Sequence, residues 1–498
     1  MASLAEQNSD LATRNARLEH LVQEFQQALY GRRSEKLEPD ARQLAFEELE
    51  AALAEAEEAQ GSSASGTPPT PLRRPRRNIG HLPRELPRIE RRLEPESTLC
   101  SCGCGMQQIG EDRSERLDII PAQVRVIATL RPRYACPACD DDGVRQAKAP
   151  AHLIEGGLPT EGALAQVLVS KYADHVPLYR QCQALRRSGL TLDRSTLAGW
   201  VGTAAFHLAP VVERLADHLK ASGKLFMDET RAPVLDPGRG RTKSGYLWAL
   251  ARDDRPWGGA DPPGVVYFYA AGRGGQHAES FLEGFSGLLQ VDAYAGYNRL
   301  SRSDRPGCSV RLANCWAHAR RKLHEVHERD GSPIAAEGLG RIADLYRIEA
   351  EIRGHSAEAR LAARRERSAP LVEDFGNWLK EVRSRVSGKS RLGEKLAYIA
   401  RHWEGLCVFL TDGRVEIDSN VVENTIRPLA LGRKNALFAG HDEGGRGWGR
   451  IASLIETAKM NGIEPFAYLK ATLEAIAAGH PQGRIDDLLP WAFVKTST

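Results

Sequence analysis

The sequence predicts a multidomain α/β protein in which a mixed β-sheet core is divided by an all-helical insertion and preceded by smaller N-terminal modules. Three observations predict this fold class. Short apolar runs that suit buried strands are concentrated in residues 221–330, apolar stripes of helical period fill residues 331–412, and leucines recur at heptad spacing near the N-terminus. The N-terminal modules are expected to be a coiled coil, a cysteine-bearing module and a further helical region.

The composition is that of an ordinary soluble globular protein. The chain has 498 residues, of which 42% are hydrophobic and 27% charged, and its net charge is +3. No apolar run approaches the length of a membrane span, and the N-terminal residues show no secretory signal. We therefore expect a cytoplasmic protein without a membrane partner. Because the net charge is small, it does not by itself indicate nucleic-acid binding. Such an inference depends on where the arginines cluster.

Residues 1–60 show the pattern of a coiled coil. Leu4, Leu11, Leu18 and Phe25 recur every seven residues, and asparagine occupies two of the complementary core positions. Asparagine at such positions weakens a zipper but specifies its register, often that of a dimer. The pattern predicts a homodimer or higher multimer, and the alternative is an amphipathic helix packed on its own domain. A second helix, rich in alanine and glutamate, is expected over residues 40–60.

Residues 61–95 predict a flexible basic linker. A Gly/Ser/Pro-rich stretch over residues 61–71 precedes eight arginines in residues 72–92, where prolines prevent a regular helix. An extended basic arm can follow a phosphate backbone, whereas the alternative is a solvated linker. The position of this arm beside the predicted coiled coil favours DNA. The DNA-binding candidates in the arm are Arg73, Arg74, Arg76 and Arg77.

Five of the nine cysteines lie within residues 96–150. They are Cys100, Cys102, Cys104, Cys136 and Cys139. A cytoplasmic chain disfavours disulfides, and four thiolates on two turns suit structural zinc, with the intervening residues forming strands of a small ribbon. The spacing therefore predicts a zinc site that uses four of the five cysteines, and reduced free thiols are the alternative.

Residues 151–220 predict a helical region, with three short helices over residues 160–208. Gly189 and the turn before Asp193 introduce the segment R-S-T-L-A-G-W-V. This arrangement suits a helix-turn-helix whose last helix enters a DNA groove. Generic helical packing explains the same pattern and remains the alternative.

Two aspartates end short apolar runs in the predicted core. Asp228 follows the apolar residues 225–227, and Asp292 follows the run over residues 288–291. Each carboxylate is expected where a strand ends and a cleft begins. Two further strands are expected over residues 246–250 and 265–270.

A third carboxylate is predicted on a helix. Glu423 shares one helical face with Asn420, Asn424 and Arg427, and apolar residues flank that face. We expect Pro428 to limit this helix.

Together, Asp228, Asp292 and Glu423 predict a catalytic metal site. Carboxylate oxygens are the ligands that Mg²⁺ prefers, and Mn²⁺ suits the same ligands. Two such ions activate an attacking oxygen and stabilise a leaving one. A single Asp after an apolar run is usually a strand terminator or a helix cap. The prediction therefore depends on all three residues.

Five long motifs resemble those of the IS66 family of bacterial insertion-sequence transposases. They are I-G-E-D-R-S-E-R-L-D-I-I-P-A (109–122), F-M-D-E-T (226–230), Q-V-D-A-Y-A-G-Y (290–297), N-C-W-A-H-A-R-R-K (314–322) and D-S-N-V-V-E-N-T-I-R-P (418–428). They occur in family order across nearly the whole chain. The sequence departs from the family at Ser419, where Asn is usual, and in the first cysteine pair, where three cysteines alternate with other residues.

The resemblance implies an RNase H-like core of the DDE type, split between residues 221–330 and 413–475, and a zinc-finger-like module before it. It implies cleavage at the element's ends followed by attack of the freed 3'-hydroxyl on target DNA. The implied partners are the terminal inverted repeats, target DNA and small accessory proteins of the same element. Pairing of two DNA ends also implies a multimer.

The segment after Asp292 carries further DNA-binding candidates. A helix opened by Cys315 is expected to present His318, Arg320, Arg321 and Lys322 to DNA. The C-x-x-H pair also invites zinc, but no second pair is in view, so zinc is not the preferred interpretation. Beyond Glu423, the candidates are Arg427, Arg433 and Lys434.

Residues 331–412 predict an all-helical insertion that either covers DNA, contributes to dimerisation or braces the core. We expect a strand over residues 435–439 and a flexible basic loop over residues 440–450, which lacks the G-K-[ST] ending of a nucleotide-binding loop. Residues 476–498 form a C-terminal segment.

Other functions use part of the same residues. A plain nuclease of the same fold needs only the three carboxylates. A non-catalytic zinc-containing regulator derived from a transposase keeps the DNA-binding regions, but the intact carboxylates oppose it. A glycosidase with paired carboxylates leaves the basic arm and the cysteines unexplained.

Overall fold

The computed structural model describes residues 124–135, 144–236, 241–302 and 310–494. The chain divides into two units, Met1–Ala122 and Gln123–Thr498. The first unit lies outside the described residues, and so do Cys136 and Cys139. The coiled coil, the flexible basic linker and the zinc site at the five cysteines therefore remain predictions from sequence.

The second unit contains a two-stranded ribbon and a five-stranded mixed sheet. The ribbon pairs β1 (Arg133–Ala135) with β2 (Val144–Gln146) in antiparallel fashion. The strands of the sheet are β3 (Lys224–Asp236), β4 (Arg241–Arg252), β5 (Gly264–Ala270), β6 (Gly287–Val291) and β7 (Val310–Asn314). Their spatial order is β5-β4-β3-β6-β7. The first three strands form an antiparallel meander, while β6 is parallel to β3 and β7 is parallel to β6.

Residues 124–127, which we expected to form a strand of the ribbon, are not a strand. The four strands predicted for the sheet are present, with two differences. The expectation that the first strand ends at Asp228 is wrong, because β3 continues to Asp236 through pairing with β4. Only the pairing with β6 stops early, at Phe226. Strand β7 was not predicted.

Helices surround the sheet. Before it lie α1 (Glu161–Tyr172), α2 (Leu178–Arg187), α3 (Arg194–His207) and α4 (Ala209–Lys220). Within and after it lie α5 (Gly275–Phe281), α6 (Trp316–Asp330), α7 (Pro333–Ile352), α8 (Ala357–Ala363), α9 (Ala369–Arg385), α10 (Arg391–Arg401), α11 (Trp403–Leu406), α12 (Asn420–Ala436), α13 (Asp442–Met460) and α14 (Pro465–Ala477). A π-helical turn, Arg364–Ser368, joins α8 to α9. No helix in these described ranges is long and apolar enough to cross a membrane.

The alternation of side chains along β3 divides the core. Leu225 and Met227 pack into a large cluster with residues of α1, α3, α4, α13 and α14. Phe226 points to the other face, where it packs with Val422 and Ile426 of α12. A separate cluster around Trp316 forms the core of the helices between β7 and α12. The face of the sheet that carries Phe226 is therefore the face covered by α12.

Helix α12 is longer than predicted. Pro428 lies inside it rather than at its end, and the helix continues to Ala436. A proline in a helix interior removes a backbone hydrogen bond, but the buried residues Ile426 and Leu429 on either side hold this helix against the sheet. The strand expected over residues 435–439 is also wrong, because only Ala439 makes a bridge to the sheet.

Most of the predicted loop over residues 440–450 is instead helical, because α13 begins at Asp442. Its glycines allow the helix to lie directly on β5, since a β-carbon at Gly449 would stand 2.6 Å from the carbonyl oxygen of Tyr267. The hydroxyl of Ser453 accepts a hydrogen bond from the backbone N–H of Tyr267 at 2.8 Å, and that of Thr457 accepts one from Val265 at 3.0 Å. Helix α13 therefore supplies hydrogen-bond partners for backbone groups at the outer edge of β5, which would otherwise be unpaired.

We expect Gly449→Ala to destabilise the protein by about 1–3 kcal/mol, because the new methyl group forces α13 away from β5. The matched control is Gly199→Ala in α3, where a β-carbon meets no atom within 4 Å. Alanine there raises helix propensity by up to about 1 kcal/mol. Thermal melts should show opposite signs for the two variants. A Gly449→Ala protein as stable as the parent would contradict the close approach.

Candidate metal centre

Two aspartates lie side by side where the parallel strands β3 and β6 part. The last pair of their ladder is Phe226 with Gln290. Asp228 and Asp292 each follow two residues later, so the same count along both strands places them opposite each other. Neighbouring strands are about 4.8 Å apart, and a two-residue step returns a side chain to the same face. Both carboxylates therefore leave the sheet on the face that carries Phe226.

Helix α12 brings Glu423 to this face. Val422 packs beside Phe226, which fixes the first turn of the helix over the sheet. The amide of Gln290 fixes the segment before it by donating to the carbonyls of Glu416 and Asp418 at 2.9 and 3.2 Å. The third predicted carboxylate thus comes from a helix that the sheet itself positions.

The charges of the other two predicted carboxylates act on Asp228. The pKa of Asp228 is raised well above its ordinary value, first by burial and then by the negative charges of Asp292, Glu229 and Glu423. One hydrogen bond opposes this shift, since the backbone N–H of Glu229 donates to Asp228 Oδ1 at 2.7 Å. Crowded carboxylates in a buried site have an excess of negative charge and oxygen donors, so they fit a hard divalent cation.

The backbone beside Asp292 is strained. Ala293 has φ = 72°, a conformation in which residues with a β-carbon are uncommon. It turns the chain so that the N–H of Tyr294 donates to Asp292 Oδ1 at 2.8 Å. This strain orients one carboxylate oxygen of the candidate site and leaves the other available to a ligand.

Ser419, Arg321 and His318 are among the side chains beside Glu423. Ser419 Oγ donates to Glu423 Oε1 at 3.0 Å, while Arg321 Nη2 lies 3.9 Å from Oε2 and His318 Nδ1 lies 3.7 Å from Oε1. Ser419 is the position at which the sequence departs from the usual Asn of the resembled family. The serine keeps a polar group in place that orients the carboxylate.

His318 is a neutral residue of this site at pH 7. Burial lowers its pKa to about 4, and the charge of Arg321 acts in the same direction. Cys315 Sγ accepts the N–H of Ser419 at 3.2 Å. The ligand atoms of Cys315, His318 and Glu423 lie within 4.8 Å of one another. The C-x-x-H pair thus has Glu423 as a third neighbour, which sequence spacing did not reveal.

Glu229 is a further acidic residue that the sequence analysis missed. Tyr297 OH donates to Glu229 Oε2 at 2.5 Å, and Arg273 Nε donates to Oε1 at 2.6 Å. The pKa of Glu229 is raised to about 7, first by burial and then by the charge of Asp292. Its place directly after Asp228 was a signal in the sequence, whereas nothing marked Arg273.

The helical insertion also reaches the site. Tyr398 of α10 donates its hydroxyl to the backbone carbonyl of Asp292 at 3.1 Å. Lys322 Nζ stands 5.7 Å from the centre of the Tyr398 ring, and burial lowers the pKa of this lysine. Sequence periodicity placed Tyr398 in a helix but did not link it to the aspartate.

The predicted DNA-binding residues are distributed around this centre. His318, Arg321 and Lys322 lie beside the carboxylates, and Arg320 is half-buried on the same helix. Lys434 is exposed near the end of α12, and Arg427 lies two turns before it. Arg433 instead donates to Thr230 Oγ1 at 3.0 Å and to the Arg231 carbonyl at 2.5 Å, which ties α12 to β3. The four arginines of the basic arm lie outside the described residues, and DNA contact remains a prediction for the whole set.

Family models match the chain in four places. The model described as "Transposase IS66 family" matches residues 156–447, and the "IS66 C-terminal element" matches residues 453–491. The "zinc-finger binding domain of transposase IS66" matches residues 97–140, which contain all five clustered cysteines. The "Transposase C of IS166 homeodomain" matches residues 17–91, which include the basic arm.

Similar proteins are found in Sinorhizobium fredii (strain NBRC 101917 / NGR234). The uncharacterized protein y4qI is 44% identical over 488 residues, covering 96% of this chain and 89% of the relative. The uncharacterized protein y4jD is 46% identical over 419 residues, covering 83% of this chain and 82% of the relative. With its central model matching residues 156–447 and its zinc-finger and C-terminal models in the expected places, this chain belongs to the IS66 family of transposases.

Proposed function

We propose that this protein is a DNA transposase that cleaves phosphodiesters at the ends of its insertion sequence and joins the freed 3'-hydroxyl to target DNA. Asp228, Asp292 and Glu423 are the proposed catalytic residues. The proposal rests on the register that puts Asp228 and Asp292 on the face of the sheet that α12 covers, in a chain of a transposase family. The proposed core is RNase H-like, and the order of three antiparallel strands followed by two parallel ones supports it.

The three carboxylates would hold two Mg²⁺ or Mn²⁺ ions. When bound, such ions activate the attacking oxygen and stabilise the leaving oxygen of a phosphodiester. The protein's own part is to hold the ligands in place. The N–H groups of Glu229 and Tyr294 orient the two aspartates, and Ser419 orients Glu423. Arg321 lies 3.9 Å from Glu423 and offsets part of its negative charge.

DNA is the proposed partner of several regions. The zinc-finger and homeodomain matches cover the N-terminal regions for which the sequence predicts zinc and DNA binding. Transposition joins two ends, so we propose a multimer on DNA, assembled in part through the predicted coiled coil. Small accessory proteins of the same element are further proposed partners.

A nuclease without strand transfer is the second candidate function. It needs the same carboxylates and would release cleaved ends without joining them. An assay with labelled element ends and a supercoiled target separates the two functions, because only a transposase yields joined products. The single experiment that tests the proposal is this joining assay with purified protein and magnesium.

We expect Asp228→Asn, Asp292→Asn and Glu423→Gln each to abolish cleavage while leaving DNA binding largely unchanged. Each substitution removes a ligand charge without changing shape. The matched control is Asp254→Asn, a buried aspartate in the loop just after β4 that pairs with Lys224 rather than with the cluster. Gel-based cleavage and gel-shift measurements on the same preparations check this. Near-parental cleavage by any of the three variants removes that residue from the site.

The stability of the metal-free protein should depend on pH in a defined direction. Burial raises the pKa of Asp228 and Glu229, so the folded protein retains protons that an unfolded chain releases above about pH 4. The stability that depends on Glu229 therefore falls as the pH rises from about 4 through about 7, and the raised pKa of Asp228 acts in the same direction. We expect Asp228→Asn to melt a few degrees above the parent at pH 8 in EDTA and to lose this advantage at pH 5.

Divalent ions should restore the stability that the parent protein loses at high pH, and should not do so in Asp228→Asn. A bound cation neutralises the cluster, so magnesium or manganese should raise the melting temperature of the parent at pH 8 and leave Asp228→Asn nearly unchanged. Differential scanning fluorimetry with and without EDTA provides the measurement. Equal metal-induced shifts in both proteins would place the ion elsewhere.

We also expect about one structural zinc per chain in the cysteine module. Structural zinc couples metal binding to folding, so Cys136→Ser with Cys139→Ser should release the metal and destabilise the N-terminal half. The control is Cys182→Ser, a free cysteine outside the predicted module. Metal analysis of the reduced protein and limited proteolysis report the result, and zinc-free parent protein would contradict it.

A further inference from the structure

Apolar side chains are exposed at the C-terminal end of α12. Leu431, Leu437 and Phe438 expose 40%, 65% and 42% of their surface. We call these three residues the apolar tip. The same helix buries its other apolar residues against the sheet, so exposure of large side chains at its end is not a requirement of its packing.

The backbone at the tip is strained in a specific way. Leu437 has φ = 61° and ψ = −48°, and the N–H of Phe438 donates to the carbonyl of Ala436 at 2.7 Å. These values define a classic γ-turn, which is rare and strained. Glycine adopts a positive φ without the cost that a β-carbon imposes, yet the chain has leucine here.

The flanking hydrogen bonds hold this turn in place. Leu437 donates to the carbonyl of Arg433 at 2.8 Å, and Ala439 donates to that of Pro233 at 2.9 Å. Leu235 in turn donates to the carbonyl of Ala439 at 2.8 Å. The turn is thus anchored on both sides, to the last turn of α12 and to β3. The surrounding structure maintains this strain, although it leaves a large apolar side chain exposed. The combination points to a ligand that contacts the side chain.

One face of α12 connects the carboxylates to the tip. At 100° per residue, Glu423, Arg427, Leu431 and Lys434 fall within an arc of about 80°. Two of these four are cations, and Lys434 is exposed. Arg433 lies on the side that bonds to β3. A DNA strand that reaches Glu423 and follows this face meets positive charge along the way and then the apolar tip.

We propose that Leu437 and Phe438 form an apolar wedge that enters a base step of the bound DNA. Leu437 and Phe438 follow Glu423 by fourteen and fifteen residues, which corresponds to about 21–22 Å along the helix. At 3.4 Å per base step, this places the wedge about six base pairs from the phosphate held at the carboxylates. Leucine and phenylalanine are residues that unstack base steps in this way. The inference depends on the proposed function, because it requires DNA at Glu423.

The test is a 2-aminopurine scan. A series of duplexes spans the junction of the element end with its flank, and each carries one 2-aminopurine, whose fluorescence rises when its stacking is lost. The full-length protein carries Asp228→Asn so that the strand is not cut during measurement. We expect a several-fold rise at one step, about six base pairs from the junction, and little change elsewhere.

Three variants identify the source of that signal. In the Asp228→Asn protein, Leu437→Gly and Phe438→Ala should each reduce the rise to near the level of free DNA. The matched control is Leu158→Gly, which removes another exposed leucine that is 80% exposed and lies outside any helix. It should leave the signal unchanged. Leu437→Gly also relieves the positive φ, so its melting temperature should be no lower than that of the parent.

The possible results separate the wedge from other roles. The wedge is contradicted if the protein binds the duplexes without raising 2-aminopurine fluorescence at any position. It is also contradicted if the fluorescence at one position rises equally in all variants. A smaller particle for Leu437→Gly than for the parent in DNA-free light scattering also overturns it, since the tip would then contact another protein chain. The scan reads base stacking and not cleavage. Failure of the carboxylate variants to lose cleavage would therefore contradict the proposed chemistry without altering this result.

Discussion

The parallel pairing of β3 with β6 is the constraint on which the candidate centre depends. Two apolar runs, separated by more than fifty residues of chain, are aligned so that Phe226 faces Gln290 and the next two residues on each strand end in an aspartate. A shift of one residue in this register would move one carboxylate to the opposite face of the sheet. The register is set by burial on both faces, because Leu225 and Phe226 belong to different clusters of the core.

Burying several carboxylates near one another destabilises the folded protein, and the surrounding structure offsets this effect only in part. Burial and mutual repulsion raise the pKa of Asp228, and Glu229 adds a further acid on the other face of the strand. Backbone N–H groups, Ser419 and Arg321 supply local compensation. A folded protein that tolerates such a site is consistent with selection for ligand binding rather than for stability.

The helical insertion is held to this centre by buried charges. Arg364 donates to both carboxylate oxygens of Glu349 at 2.7 and 2.6 Å, and Arg360 donates to Glu416 at 2.8 Å. Glu416 lies in the segment that Gln290 fixes before α12. Paired buried charges of this kind favour one arrangement strongly, because losing either partner leaves an unpaired charge in the interior. The insertion therefore helps to place Glu423, which favours the role of a brace for the core.

Much of the fold follows from local sequence, because alternation and helical period record which side chains are buried. The apolar runs predicted four of the five strands, and the helical stripes around Phe375 and Leu396 predicted the insertion. The three carboxylates were also chosen from sequence, since each follows or interrupts an apolar pattern. Their closeness in space required the sheet register, which pairs residues far apart in the chain.

Other features arise only in the tertiary structure. Pro428 and the glycines of α13 oppose helix formation locally, yet both helices form because they bury residues against the sheet and Ser453 satisfies the edge of β5. The bonds from Arg273 to Glu229 and from Tyr398 to Asp292 join elements whose separation in sequence carries no periodic signal. The sequence alone thus determined which residues are buried and which carboxylates are available, whereas only nonlocal packing decided how they meet.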